Sequence, residues 1–239
     1  MRPMRTLTSL FVAAAAALAL QAPLASAQEA ALPPVDAGAK DASWLQFHKR
    51  LATAVEQRDL KFLLSILDPK IRNSFEKPDG VKAFVEQWDL DTPAKAKESP
   101  LWTELRSLLR FGAAPVEAAG GERLLCLPYV AVTFPPSIDP FLFAAVVTAD
   151  APVFDKPSTQ ATIIATISHQ IVGVEDWDLE DEAKSPQRWV KVVLKKGGGY
   201  MASEHVRSAI EARACFTRSR GKTPNAGPWR MISLTVGGG

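Results

Sequence analysis

Apolar residues between positions 43 and 111 recur at intervals of three and four, the spacing of amphipathic helices. Trp44, Phe47, Leu51 and Val55 form the first such stripe, with Asp41 or Ser43 placed to cap it. Asp59 precedes a second, carrying Phe62, Leu63, Ile66 and Leu67, for which Pro69 is the expected stop. Asp79-Gly80 opens a third, with Val81, Phe84, Val85 and Trp88 on one face. Ser99-Pro100 opens a fourth, because Ser caps and Pro suits the first helical position; Leu101, Leu105, Leu108 and Leu109 follow, and Gly112 is placed to end it. The whole stretch is expected to be helical, and its apolar faces need a partner surface.

Beyond residue 120 the pattern changes to short apolar runs and alternation. Leu124 to Thr133 and Phe141 to Thr148 read as two strands of one small sheet, the first demoted to an edge or bulged strand by Pro128. Glu211 to Arg218 and Trp229 to Val236 read as a terminal hairpin. A lone hairpin is marginal and must join a larger sheet. The expected solution returns it to the sheet of 124–148, across everything between. Cys126 and Cys215 would then lie on neighbouring strands, either bridged or packed as two buried thiols.

Between these runs, ATIIATISHQIVGV and WVKVVL alternate as half-buried strands do, and Gly197-Gly198-Gly199 permits a tight turn between strands. Pro157-Ser158, Ile164 and Ile167, Val172 and Val174, then Trp189-Val190-Lys191-Val192, Gly198-Gly199-Tyr200-Met201, Ser203 and Val206 follow in the order and spacing of a bacterial SH3-like domain. Residues of about 150–207 therefore resemble the SH3b family, over about a quarter of the chain. Two departures stand out. Val153-Phe154 occupies a place where the family often has Val-Arg, and the loop Glu175 to Arg188 is longer and more acidic than usual. The resemblance implies a small β-barrel that binds cell-wall peptide or an envelope protein. It implies an aromatic groove formed by Phe154, Trp177 and Tyr200, with Trp189 at its edge.

The fold expected is α+β: a helical N-terminal part packed on a small antiparallel sheet, with an inserted SH3-like β-barrel. Residues 1–27 read as a signal peptide, since Arg2 and Arg5 precede a short apolar run and Ala25-Ser26-Ala27 fits the cleavage rule. Residues 28–42 read as a flexible linker, 43–149 plus 209–237 as a discontinuous host domain, and 150–208 as the barrel. An exported chain, periplasmic or secreted, with no transmembrane segment after cleavage is expected.

Charge narrows the function classes. Of 28 basic residues two lie in the signal segment, which holds no acid, so the remainder balances 26 against 26. That is not the footprint of a nucleic-acid binder. His48, His169 and His205 fall at no metal-ligand spacing, and no HExxH, GxSxG or P-loop pattern occurs. No cofactor, metal or catalytic residue is expected. The acidic run Glu175, Asp176, Asp178, Glu180, Asp181 and Glu182 is either a solvated loop or a cation site, though it lacks EF-hand spacing. A non-enzymatic envelope-binding protein is the leading expectation. The alternatives are a cell-wall cysteine hydrolase with Cys126 or Cys215 as nucleophile, or an assembly factor using the helical domain.

Overall fold

The computed structural model describes residues 30–74, 78–118, 121–195, 197–218 and 227–237. The expected signal peptide and the turn 219–226 of the terminal hairpin lie outside them.

Helix α1 (Ala42–Glu56) starts where Asp41 accepts hydrogen bonds from the N–H groups of Ser43 and Trp44. Asp59 does the same for α2 (Leu60–Ile66), accepting from the N–H of Phe62. The stretch is not helical throughout. Pro69 does not terminate a helix but lies in strand β1 (Leu67–Arg72), and this is an edge strand, where a missing N–H costs least. Helix α3 (Val81–Gln87) begins at Gly80, whose φ of 100° suits only glycine. A further helix, α4 (Pro93–Glu98), not among the four singled out in the sequence, is capped by Thr92. Helix α5 (Leu101–Leu109) follows, with the Ser99 hydroxyl accepting from the Leu101 N–H.

Strands β2 (Ala114–Glu117) and β3 (Arg123–Leu127) come next. The run expected as strand to Thr133 stops at Leu127; a cis bond leads into Pro128, and residues Val130–Thr133 form the short helix α6. The chain continues through β4 (Phe143–Val146), β5 (Ala151–Phe154), β6 (Ile163–Ile167), β7 (Ile171–Glu180), β8 (Arg188–Leu194) and β9 (Gly197–Ala202). A 3-10 turn (Ser203–His205) leads to β10 (Val206–Arg207), and β11 (Arg213–Thr217) and β12 (Arg230–Thr235) end the described fold.

These strands form two sheets, so the molecule is α+β. The first has the order β1-β12-β11-β3-β2 and is antiparallel except for the parallel β1–β12 pair. It was expected to be wholly antiparallel; β1, hidden within the helical stretch, supplies the difference. Helices bury Trp44, Leu51, Leu63, Phe84 and Leu105 against Leu125, Phe216 and Leu234 of this sheet. The terminal hairpin does return here: β11 lies between β12 and β3, and Cys215 sits directly opposite Cys126, to which it is bonded.

The second sheet has the order β10-β4-β7-β8-β9-β5-β6 around Val153, Val172, Val190, Val192, Met201 and Val206. It corrects two expectations. The run Phe141 to Thr148 does not pair with residues 124–133; as β4 it joins β7 and β10 here. Nor is there a closed barrel: among the described residues no ladder joins the end strands β6 and β10. The two-residue β10 makes its ladder with β4 instead.

Two devices hold the sheets together. The supposed linker is docked from Ala30 onward. Leu32, 5% exposed, donates its N–H to His169 O at 2.7 Å, and Ala30 O accepts from Ile171 N at 2.8 Å. Further on, Ala37 N donates to Ala113 O at 2.8 Å, so this short segment straps the second sheet to the first unit. Gly112 serves this contact rather than a helix end, since a Cβ there would collide with the Val35 carbonyl. The second device is Arg207, whose side chain is only 9% exposed. It pairs with Glu211 at 3.0 Å and reaches α5 through Ser107 Oγ at 2.8 Å and Glu104 at 3.8 Å.

Candidate ligand-binding face

Alternation along β8 divides the second sheet into two faces. Val190 and Val192 enter the core, so Trp189 and Lys191 point outward. Register adds the neighbours: Trp189 stands opposite Ala202, Lys191 opposite Tyr200, and Tyr200 opposite Phe154 of β5. Phe154, Trp189 and Tyr200, expected in one groove, are thus brought to one face. Gly199 makes the last pairing possible. A Cβ there would lie 2.5 Å from Val153 Cγ1 and 2.8 Å from Phe154 O, so only glycine lets β5 approach β9.

The three aromatics do not stand alike. Phe154 and Tyr200 are half-buried, whereas Trp189 is 1% exposed and meets Phe154 edge-on at 5.1 Å between ring centroids. Its indole N–H donates to Asp181 Oδ2 at 3.0 Å. The same carboxylate accepts from Thr159 N at 3.0 Å and Ala183 N at 2.7 Å, while Glu182 N donates to Pro157 O at 2.8 Å. The β5–β6 and β7–β8 connections therefore clasp each other over Trp189. Burial opposes charge on Asp181, but the hydrogen bonds from Trp189, Thr159, Ala183 and Ser185 outweigh it and hold its carboxyl below the ordinary range. Trp189 is a support beneath the face rather than a contact surface upon it.

Trp177 lies elsewhere. It is on β7 rather than in a loop, is 39% exposed, and lines a cleft of about 280 Å³ with Arg110, Phe111, Ser203, Glu204 and Arg207. The acidic run is likewise strand as far as Glu180, because its charges face a basic neighbour. Glu175 pairs with Lys191 at 2.7 Å, and Arg188 pairs with Asp178 at 2.7 Å and Glu180 at 3.7 Å. The hydrogen bond from Arg188 lowers the Asp178 pKa. Among the described residues no group of three or more His, Cys, Asp or Glu is arranged to hold a metal ion.

Both cysteines are consumed by the bridge on the first sheet, so neither offers a thiolate. His205 accepts or donates one hydrogen bond, Nδ1 to Thr148 Oγ1 at 2.9 Å, and His48 packs against Trp44. Sequence reasoning missed the Arg207 clamp and the Trp189–Asp181 bond. Arg207 and Glu211 lie in a strand and the turn after it, where no regular spacing marks an ion pair, and nothing local connects either residue to α5. No helix among the described residues is long and apolar enough to cross a membrane. Comparison with protein-family models, curated proteins and solved structures finds no match.

Proposed function

We propose that the chain is an exported, non-enzymatic binding protein of the bacterial cell envelope, and that its second sheet is an SH3b-like module engaging cell-wall peptide or an envelope protein. The observation that carries this reading is the outer face itself: Phe154 and Tyr200 side by side and half-buried, over the locked Trp189. Rigid aromatics in such a row bind extended peptide at low entropic cost. The disulfide supports an oxidising compartment and takes the nucleophile from the cysteine-hydrolase alternative.

The test is cosedimentation of the protein, without residues 1–27, with purified peptidoglycan. The Phe154→Ala/Tyr200→Ala double variant is expected to lose binding while Trp177→Ala retains most of it. Binding lost only in Trp177→Ala moves the site to the α5 cleft. No cosedimentation at all refutes the wall-peptide arm and leaves the envelope-protein arm, read by crosslinking through a photoreactive residue at position 200. Release of soluble wall fragments refutes the non-enzymatic reading.

A further inference from the structure

A second site stands where α1 meets the first sheet. A cavity of about 480 Å³ opens there, lined among the described residues by Lys40, Arg123, Arg218 and Trp229 together with Ala37, Asp41 and Leu125. Its size is that of a small-molecule site. Three of these side chains are cations and one is an acid.

The acid offsets only part of this field: Asp41 interacts with the Arg218 charge, and three cations stand against one acid among the described lining residues. Asp41 Oδ1 accepts from the N–H of Ser43 at 2.9 Å, the hydroxyl of Ser43 at 2.6 Å and the N–H of Trp44 at 3.2 Å. Its charge is thereby committed to the N-terminal end of a helix of 15 residues, whose dipole is positive there. Arg218 and Trp229 are fixed by the same hydroxyl. Ser43 Oγ accepts from Arg218 Nη1 at 2.8 Å and from Trp229 Nε1 at 3.2 Å, while Arg218 Nε donates to Gly227 O at 3.2 Å. Arg218 also sits 6.0 Å from the centre of the Trp229 ring. A guanidinium and an indole are therefore held in place before any ligand arrives, so little ordering entropy remains to oppose binding. Lys40 and Arg123 are exposed at the same cavity.

We infer that this cavity binds a small organic oxyanion, a phosphate or carboxylate carrying a planar or apolar body. The oxyanion meets Arg218, Arg123 and Lys40, and the body lies on Trp229. Arginine presents paired donors that match such oxyanions, and lysine adds a mobile point charge. The site shares no residue with the aromatic face of the second sheet, so either proposal can fail without the other.

Phenyl phosphate, inorganic phosphate, benzoate and uncharged benzyl alcohol are the probes. The readout is the indole N–H resonance of Trp229, assigned by its loss in Trp229→Phe. Phenyl phosphate and benzoate at millimolar concentration are expected to shift this resonance, and benzyl alcohol is not. The exposed pair Lys40→Ala/Arg123→Ala, which breaks no side-chain hydrogen bond among the described residues, is expected to weaken phenyl phosphate by about tenfold or more. Inorganic phosphate is expected to bind more weakly, having no body to place on the ring. An unmoved Trp229 resonance, equal binding of benzyl alcohol, or unchanged affinity in the double variant overturns the site. A shift by phenyl phosphate without benzoate restricts it to phosphates.

Discussion

Replacing Cys126 and Cys215 together by alanine isolates the contribution of the one covalent cross-link. The bridge closes a loop with a sequence separation of 89 residues, which contains the entire second sheet. If the whole loop is flexible when the protein unfolds, the chain-entropy relation gives about 4.6 kcal/mol at 25 °C. If the second sheet stays folded as an autonomous module, only the segments 127–142 and 208–214 are free, about 23 residues, and the same relation gives about 3.4 kcal/mol. Either value is a large part of the stability of an ordinary domain. Urea unfolding of oxidised wild type and of the double variant measures the difference. Far-ultraviolet circular dichroism reports both sheets, while hydrogen exchange of the β11 amides reports the first unit. The variant is expected to unfold at a lower midpoint by both probes. The two transitions separate if the second sheet is autonomous and coincide if it is not. Equal midpoints and slopes for wild type and variant refute the reasoning, as do two reactive thiols in unfolded, unreduced wild type.

Arg207→Ala removes the bonds to Ser107, Glu104 and Glu211 at the junction of the two sheets, and is expected to cost about 2–3 kcal/mol in the same urea assay; a change near zero shows that the strap alone holds the junction. Asp41→Ala strips the cap of α1 and is expected to cost about 1 kcal/mol by thermal or urea unfolding, with Asp41→Asn recovering most of it. Burial, opposed by Asp36 and by a hydrogen bond with the Leu109 backbone, lowers the His48 pKa below 6.5. The unfolded chain therefore binds the proton more readily. This contribution to stability is complete above the unfolded value and is lost as pH falls through the window beneath it. His48→Gln is expected to flatten stability against pH between about 6.5 and the lowered folded value, and an unchanged slope contradicts the assignment.

Local chemistry was legible in the chain wherever a signal and its effect lie within one turn or one strand. Asp41, Asp59 and Ser99 announce helix starts because a cap bonds to an N–H two or three residues away. The alternation of WVKVV announces which residues enter the core, because a strand has a period of two. The position of the cysteines, on two strands expected to neighbour each other, raised the bridge as an option. Only the ladder placing Cys215 opposite Cys126 decided it.

What sequence could not decide depended on partners far along the chain. Pro69 reads as a helix stop until β12 arrives beside it as a parallel neighbour, from more than 160 residues away. The acids after Val174 read as a loop because solvated charge and cross-strand pairing look alike until Arg188 and Lys191 stand opposite them. Residues 30–37 read as a linker because small and proline-rich composition gives no hint that their backbone groups find partners at Ala113, His169 and Ile171. Periodicity and caps are intrinsic to a short segment and so are written in it. Sheet membership, burial of Trp189 and the convergence of Lys40, Arg123 and Arg218 arise only when distant segments share space, and folding alone brings them there.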